Sequence, residues 1–376
     1  MSIFTTMETI MIKYEIKKII SSKILIFILI GLLILNLAQI IYKTCPDLHG
    51  SLYTGKQKIL EKVEGKITQE KYDFLVTNYK ETQAKVVAGD YQTDKIDDNT
   101  YSGYVFGDNQ LFYTILEEYD QTINYQDYLK EVIDTAKENI KLTTDSSFKQ
   151  YNKELLYKYQ ERTLSYYYDY TLIEYYINHD FSYLLSLVMV IMVIVQIFLS
   201  EKQNGTIVYY DLVRNGKQRV LLPKIIVLLL MSIIISLLFS FENFIVYYFL
   251  GANKGWLQPL YALENFRLTS SQISIAFYII INSCLQIVGC ILFASIMMTL
   301  CRFFNYSYQG IIAGIITIIL SIISYNYYIF SIIDFSSTRD MFVTDNIFCH
   351  YLTNGLLIST VFIILNYLIL KLRNSL

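Results

Sequence analysis

Proline, glycine, cysteine and charged residues are all scarce in this sequence of 376 residues. Its 3 Pro and 15 Gly exclude a collagenous or low-complexity chain, and its 5 Cys exclude a disulfide scaffold. Charged residues make up only 17%, against 54% hydrophobic residues, so the chain is too apolar to be intrinsically disordered. The net charge of -2 gives no general reason to expect nucleic-acid binding. The composition therefore points to a folded chain with the apolar excess of a membrane protein.

Motifs of catalysis and cofactor binding are also missing from the sequence. It contains no G-x-x-x-x-G-K-[ST], so it has no P-loop for ATP, and it contains no H-E-x-x-H or C-x-x-C. Its histidines, His49, His179 and His350, are isolated from one another along the chain. We therefore expect no catalytic residues, no metal and no cofactor bound by this chain.

Six stretches carry almost no charged residues and are long enough to be membrane spans. Each supplies about 20 apolar residues, which cross roughly 30 Å of hydrocarbon as a helix. The predicted spans are 24–42, 182–200, 225–250, 273–300, 307–331 and 353–370. The first is too long for the apolar region of a signal peptide and is followed by no small-residue cleavage site. The sequence therefore predicts an all-α polytopic membrane protein.

Lysine and arginine are divided unevenly between the two sides of these spans. The segment 1–23, the connection 201–224, the short connection after the fourth span and the C-terminal tail hold 12 of them. The short connections on the opposite side hold 3. Because positive charge marks the cytoplasmic side, we expect both termini in the cytoplasm and a multi-pass topology in the cell membrane.

The segment 43–181, which this topology places outside, is long enough to form a domain. It holds 16 Lys/Arg and 24 Asp/Glu, and its apolar residues recur at helical spacing. We predict a mainly helical extracellular domain in which residues 149–177 form one helix that continues into the second span. Its dense tyrosines include three candidates for an outer substrate surface, Tyr159, Tyr166 and Tyr170. Such tyrosines either grip an amphipathic peptide or lipid, or pack within a helical stalk and an aromatic belt.

Two cysteines, Cys45 and Cys349, both fall outside by this topology. They either form a disulfide that ties the outer domain to the last outer connection, or remain free or buried thiols. The sequence leaves both alternatives open.

The connection 201–224 is the most informative segment of the sequence. Gly205 permits a turn, Thr206 can cap a helix, and a short amphipathic helix with a basic end follows. Such a helix either inserts into a groove of a cytosolic partner or is anchored at the membrane interface.

This connection resembles the cytoplasmic loop of ABC-2-type ABC transporter permeases. In that family a Glu, then Gly-Thr, then a turn containing Gly or Pro, and then an Arg precede a Lys that opens the third span. The matching positions are Glu201, Gly205, Thr206, Gly216, Arg219 and Lys224. Many members have Pro near the position of Arg214, where this sequence departs from the pattern. The segment 1–23 resembles the family's interfacial elbow helix, and the large outer insertion is similar to that of its Gram-positive members.

The resemblance implies that this chain is the membrane half of an ATP-driven transporter. A separate ATP-binding subunit, which carries ATP and Mg, would dock on the connection through Arg214 and the positions that match the family. A second permease subunit, identical or related, would complete the assembly. The implied function is export of, or resistance to, an amphipathic peptide or lipid-like substrate. The alternatives are a sodium-exporting permease of the same class and a membrane sensor or scaffold whose outer domain binds a ligand.

Polar and small side chains along the predicted spans are candidates for the translocation path or for helix packing. Small residues let helices approach closely, whereas a carboxylate in a span is costly and marks function by default. Glu242 is therefore either a cation or substrate contact at the outer gate or an interface residue bonded to a neighbour. The candidates are Ser232, Ser236, Ser240, Glu242, Asn243, Asn282, Gln286, Gly310 and Gly314.

Overall fold

The structure is a computed structural model, and it describes residues 6–48, 51–89, 101–160, 162–206, 216–269, 271–327, 331–336 and 347–373. These residues are mostly helical. The chain begins with helix α1, Thr6–Ile20, which is separated by a short turn from helix α2, Lys23–Leu48. Helix α2 contains the predicted first span, in which no charged residue interrupts the apolar run between Lys23 and Lys43 and no proline breaks the helix.

The segment after α2, which the charge distribution predicts to lie outside, folds into a helical domain that is called the outer domain after this prediction. Its helices are α3 (Ser51–Val63), α4 (Gln69–Val87), α5 (Val105–Ile123), α6 (Tyr125–Leu142), α7 (Ser146–Tyr159) and α8 (Thr171–Ile177). Side chains one helical turn apart supply its core, in which Leu60, Leu75, Phe112 and Ile115 are fully buried. The mainly helical domain predicted for this segment is thus present in the described residues.

The single helix predicted over 149–177 is wrong. Helix α7 ends at Tyr159, and an extended strand β2 (Tyr166–Tyr167) pairs antiparallel with strand β1 (Gly65–Lys66) before α8 begins. Burial alternates here, since Tyr166 is 39% exposed and Tyr167 only 2%. A run of consecutive tyrosines has no period of 3.6 residues, and aromatic side chains favour the alternating faces of a strand.

The remaining helices are long and apolar. Helix α9 (Phe181–Ile194) continues through a π-helical turn, Val195–Leu199, into α10 (Ser200–Gln203). There follow α11 (Gly216–Leu250), α12 (Ile275–Leu300), α13 (Ser307–Asn326) and α14 (Ile347–Arg373). In the described part of the chain five helices are long and apolar enough to cross a membrane, and α14 contains a shorter apolar segment, Leu352–Asn366. The chain is therefore built as a helical, membrane-embedded protein.

Helix α9 lies at the centre of these helices. Its span is 72% buried, whereas the span in α2 is 17% buried and that in α13 is 11% buried. Small residues allow α13 to reach this centre, because a Cβ added to Gly314 would lie 2.5 Å from Ile191 Cδ1. A Cβ added to Gly310 would lie similarly close to Leu199 Cδ1. The pair Gly310 and Gly314 thus serves as a helix contact, which was one of the two interpretations of its spacing.

The connection between α11 and α12 packs against the outer domain. The Tyr125 hydroxyl donates to the Arg267 carbonyl at 2.9 Å, and the Tyr159 hydroxyl donates to the Leu268 carbonyl at 2.5 Å. Arg162, which is only 3% exposed, donates from Nη1 to the Thr269 carbonyl. Its guanidinium lies 4.2 Å from the centroid of the Tyr159 ring, as in a cation–π contact. The outer domain is thereby attached to this connection as well as to the chain that enters it.

Candidate functional site

Two features built from polar side chains lie among the apolar helices, and the first is an ion cluster where α1, α10 and α11 meet. Lys224 of α11 places its Nζ 2.9 Å from Glu15 Oε1 and 2.8 Å from Glu201 Oε1. The same Nζ donates to the Ile197 carbonyl at 2.8 Å. Lys18 of α1 donates to Glu201 Oε1 at 2.9 Å. Two lysines and two glutamates thus form a cluster whose formal charges cancel.

This cluster is largely shielded from solvent. Glu15 is 2% exposed and Lys224 is 5% exposed. Burying charged groups costs several kcal/mol each unless they are paired with good geometry, and the short N···O distances supply that pairing. The cluster therefore holds three chain segments in one arrangement, because displacing any one of them leaves a charge buried without its partner.

The predicted coupling residues are distributed around this cluster. Glu201 and Lys224, which are 23 positions apart in sequence, contact each other directly. Gly205 has a φ of 72°, which a residue with a Cβ rarely adopts, and it ends the turn after α10. The Thr206 hydroxyl donates to the Glu201 carbonyl at 3.1 Å, so it closes the preceding helix.

The remaining predicted coupling residues, Arg214, Gly216 and Arg219, lie partly or wholly outside the described residues. Gly216 begins α11, and Arg219 lies within it, but the side chains of 207–219 lie outside the described residues. Arg214 is itself outside the described ranges.

Lys202 forms a second set of contacts between helices at the same end of the apolar helices. Its Nζ donates to the carbonyls of Cys301 at 2.9 Å, Arg302 at 3.0 Å and Phe304 at 2.7 Å. These carbonyls lie at and just beyond the C-terminus of α12, where helical carbonyls have no partner within the helix. Lys202 thus links the end of α10 to the end of α12.

The second feature is a polar cluster near the opposite ends of the apolar helices. Asn36 of α2 is fully buried, and its Nδ2 donates to Glu242 Oε2 and to Asn243 Oδ1, both at 2.8 Å. The His179 Nε2 lies 2.9 Å from Asn36 Oδ1. Asn243 Nδ2 donates to the Ser182 hydroxyl at 2.7 Å. The Glu242 carboxylate thus has its partner on a neighbouring helix, α2.

A small cavity of about 20 Å³ adjoins this polar cluster. It is lined in part by Ser240, Asn282 and Gln286, and Asn282 Oδ1 is buried without a hydrogen-bond partner among the described residues. A cavity of this size holds about one water molecule. Gln286 is held from both sides, since it donates to the Ser336 carbonyl at 3.1 Å and accepts from the Ser240 hydroxyl at 3.4 Å.

The structure divides the candidate residues of the spans into two groups. Ser240, Glu242, Asn243, Asn282 and Gln286 lie in or beside the polar cluster. Ser232 and Ser236 do not, because the Ser232 hydroxyl donates to the Leu228 carbonyl and the Ser236 side chain bonds to Cys290.

The three candidate tyrosines of the outer domain do not share one surface. Tyr159 is 4% exposed and packs with Arg162, so it is not part of an exposed surface. The Tyr166 ring stacks on Tyr168 at 6.5 Å between centroids, and Tyr168 contacts Tyr170 at 6.4 Å. The side chain of Cys349 lies outside the described residues, so a disulfide with Cys45 stays an open alternative.

Sequence reasoning missed Glu15, Lys18, Asn36 and Lys202 as site residues. The sequence did contain an indication that Glu15 has a charged partner, because it is an acidic residue among the lysines of an amphipathic helix. Asn36 had one as well, because it interrupts an apolar run. The contacts of Glu15 with Lys224 and of Asn36 with Glu242 join residues more than 200 positions apart in sequence, and only the fold shows this pairing.

Comparison with protein-family models, curated proteins and solved structures gave no match to this chain. The class that the fold and the two polar features define is therefore a helical, membrane-embedded protein with a folded helical domain inserted after its first apolar helix.

Proposed function

We propose that this chain is the permease subunit of an ATP-driven ABC transporter of the ABC-2 type. It has six spans, both termini in the cytoplasm, and a location in the plasma membrane. The observation that carries the proposal is the ion cluster of Glu15, Lys18, Glu201 and Lys224, in which Glu201 and Lys224 are the two ends of the connection 201–224. Glu201 and Lys224 are also two of the positions at which the sequence resembles that family.

The cluster gives this connection the properties of a coupling element. Its two ends are held to each other and to α1 by charged contacts of 2.8 to 2.9 Å. Lys202 extends the hold to α12. A partner that pushes on the connection therefore moves α1, α10, α11 and α12 together, because buried charges cannot separate without a large cost.

The partner supplies the energy. The chain contains no P-loop, so ATP and Mg belong to a separate ATP-binding subunit, and a second permease subunit, identical or related, completes the assembly. The polar cluster around Asn36 and Glu242 supports transport, since polar groups inside a membrane bundle mark substrate or ion pathways. The cargo is an amphipathic peptide or a lipid-like molecule, which the chain exports or against which it confers resistance.

Purification of the full-length chain from its native membranes in a mild detergent tests this proposal. We expect a subunit with a P-loop to copurify, identified by mass spectrometry, and the complex to hydrolyse ATP. The variant Glu201→Gln with Lys224→Met removes one glutamate and one lysine together, and we expect it to uncouple ATP hydrolysis from transport in reconstituted vesicles.

The matched control is Asp134→Asn with Lys137→Gln. It removes an ion pair whose side chains are 54% and 49% exposed on the outer domain. We expect the control to transport normally. The proposal fails if no ATP-binding subunit copurifies, or if the cluster variant transports as well as the control.

A further inference from the structure

We propose that a groove on the outer domain, lined by carboxylates and tyrosines, binds the cationic side chains of an amphipathic peptide. The groove has a volume of about 510 Å³ and lies between α4, α5, α6 and the connection that follows α11. The inference rests on the proposed function and narrows its cargo from amphipathic molecules in general to cationic peptides. It also assigns the contact to a surface different from that of Tyr159, Tyr166 and Tyr170.

Tyrosine rings form the apolar walls of this groove. The rings of Tyr79 and Tyr113 lie 5.8 Å apart between centroids at an interplanar angle of 43°. Tyr113 is 51% exposed, and Tyr128, on the other wall, is 48% exposed. Exposed tyrosine faces suit the apolar side chains and the cations of a ligand, because the ring is apolar and its face carries partial negative charge.

Carboxylates give the groove its charge. Glu117, Asp120 and Asp127 line it, and Arg267 is the cationic side chain in its lining. In the ranges that the structure describes, neither Glu117 nor Asp127 forms a salt bridge. The surrounding segment 43–181 has 24 acidic and 16 basic residues, so its field also attracts cations.

Arg267 already shows which chemistry the groove accepts. Its guanidinium lies 5.7 Å from the centroid of the Tyr128 ring, and its Nη2 donates to Gln121 Oε1 at 2.6 Å. Its own carbonyl is fixed by the Tyr125 hydroxyl. One end of the groove thus holds a cation between an aromatic face and a side-chain oxygen. The rest of the groove presents tyrosine rings and carboxylate oxygens, which are groups of the same kinds.

The lining selects a peptide over a phospholipid. A phosphate in the groove would face the carboxylates of Glu117, Asp120 and Asp127 and would be repelled. A lysine or arginine would pair with them, and neighbouring apolar side chains of the same peptide would cover the tyrosines. A groove of about 510 Å³ also exceeds the volume of one cationic side chain, which leaves room for those neighbours.

Binding is tested with the full-length chain in nanodiscs of zwitterionic phosphatidylcholine, without any ATP-binding subunit. The probe is a fluorescein-labelled synthetic peptide of alternating lysine and leucine, read by fluorescence anisotropy, and empty nanodiscs give the lipid background. The test variant is Glu117→Gln with Asp127→Asn. The control, Asp134→Asn with Glu138→Gln, removes the same net charge from exposed positions of α6 outside the groove.

We expect the groove variant to weaken probe binding by about fivefold, since two partly exposed ion pairs contribute roughly 0.5 kcal/mol each. Tyr113→Ala should weaken it further, and the control should change it by less than about twofold because it alters only the general field. Equal binding by the groove variant and the control overturns the inference, as does a probe with glutamate in place of lysine that binds equally well.

These outcomes separate the groove from the transporter proposal. Copurification of an ATP-binding subunit tests the transporter without the probe, and probe binding tests the groove without ATP. A chain that binds the probe as expected but has no ATP-binding partner refutes the proposed function and leaves the groove standing.

Discussion

Replacing Lys224 with methionine tests the ion cluster as a structural element. The substitution keeps most of the side-chain volume and removes the charge that faces Glu15 and Glu201. At 2.8 and 2.9 Å, each contact has a Coulomb energy of about 6 kcal/mol at an effective dielectric constant of about 20. Repulsion between the two glutamates and the desolvation of each ion offset most of that gain.

The loss of stability in Lys224→Met depends mainly on Glu15, which stays buried without its partner. Glu15 is 2% exposed, and without Lys224 its closest cationic contact is Lys18, at 3.8 Å. Breaking a buried pair by removing one partner costs about 3–5 kcal/mol. We expect Lys224→Met to lower the free energy of unfolding by that amount. The measurement is a reversible titration with SDS in mixed micelles, followed by helical circular dichroism.

A double-mutant cycle separates pairing from packing. In Glu15→Gln with Lys224→Met the remaining pair, Lys18 and Glu201, is neutral as a unit, so the double variant should recover about 1–3 kcal/mol relative to the sum of the single variants. Lys137→Met, in an exposed pair, should stay within about 0.5 kcal/mol of the parent. A cost below about 1 kcal/mol for Lys224→Met, or strict additivity in the cycle, would refute the reasoning.

Further perturbations test the outer domain and the helix contacts. Burial raises the pKa of Glu118 in the folded chain, so the stability associated with this group is lost as the pH rises from its unfolded pKa through the folded one. Glu118→Gln should therefore raise the melting temperature at pH 7, and the gain should shrink as the pH is lowered; a gain that grows instead contradicts this. Arg162→Met removes a buried charged hydrogen bond worth roughly 1.5–3 kcal/mol, and hydrogen exchange should rise in the connection after α11. Gly314→Leu should destabilise the chain by about 1–3 kcal/mol through overcrowding, whereas Gly31→Ala, where no atom lies within 4 Å, should not; equal melting temperatures for the two would count against the α13 contact.

The apolar spans could be predicted because membrane crossing is a local property of the sequence. A run of about 20 apolar residues is sufficient, and the runs at 24–42 and 182–200 fall within the helical spans Lys23–Cys45 and Thr171–Gln203. Helical spacing likewise predicted the helices of the outer domain. The prediction of one helix over residues 149–177 was wrong because tyrosines in this region are buried by partners distant in sequence. One such partner is Glu118, whose carboxylate accepts a hydrogen bond from the Tyr167 hydroxyl at 2.6 Å.

The site was predicted only in part. The family resemblance selected Glu201 and Lys224, but not the residues of α1 that neutralise them. A single lysine in an N-terminal helix reads as an ordinary positive-inside charge, and nothing local indicates that Lys18 has a partner 183 positions away. The groove could not be predicted from the sequence for the same reason, since its walls come from three helices and a connection distant in sequence.

The π-helical turn at Val195–Leu199 sets the angular phase of everything that follows it in the second apolar helix. The Ser200 amide bonds to the Val195 carbonyl, five positions back instead of four, so the turn contains one residue more than an α-helix would. The turn absorbs the additional residue, so Ser200–Gln203 keep nearly the orientation that a regular α-helix one residue shorter would give them. Deleting one residue within Val195–Leu199 should therefore leave Glu201 facing Lys224 and Lys202 facing the end of α12. Deleting one residue from the regular part of α9 would instead rotate Ser200–Gln203 by about 100° around the helix axis and separate both contacts.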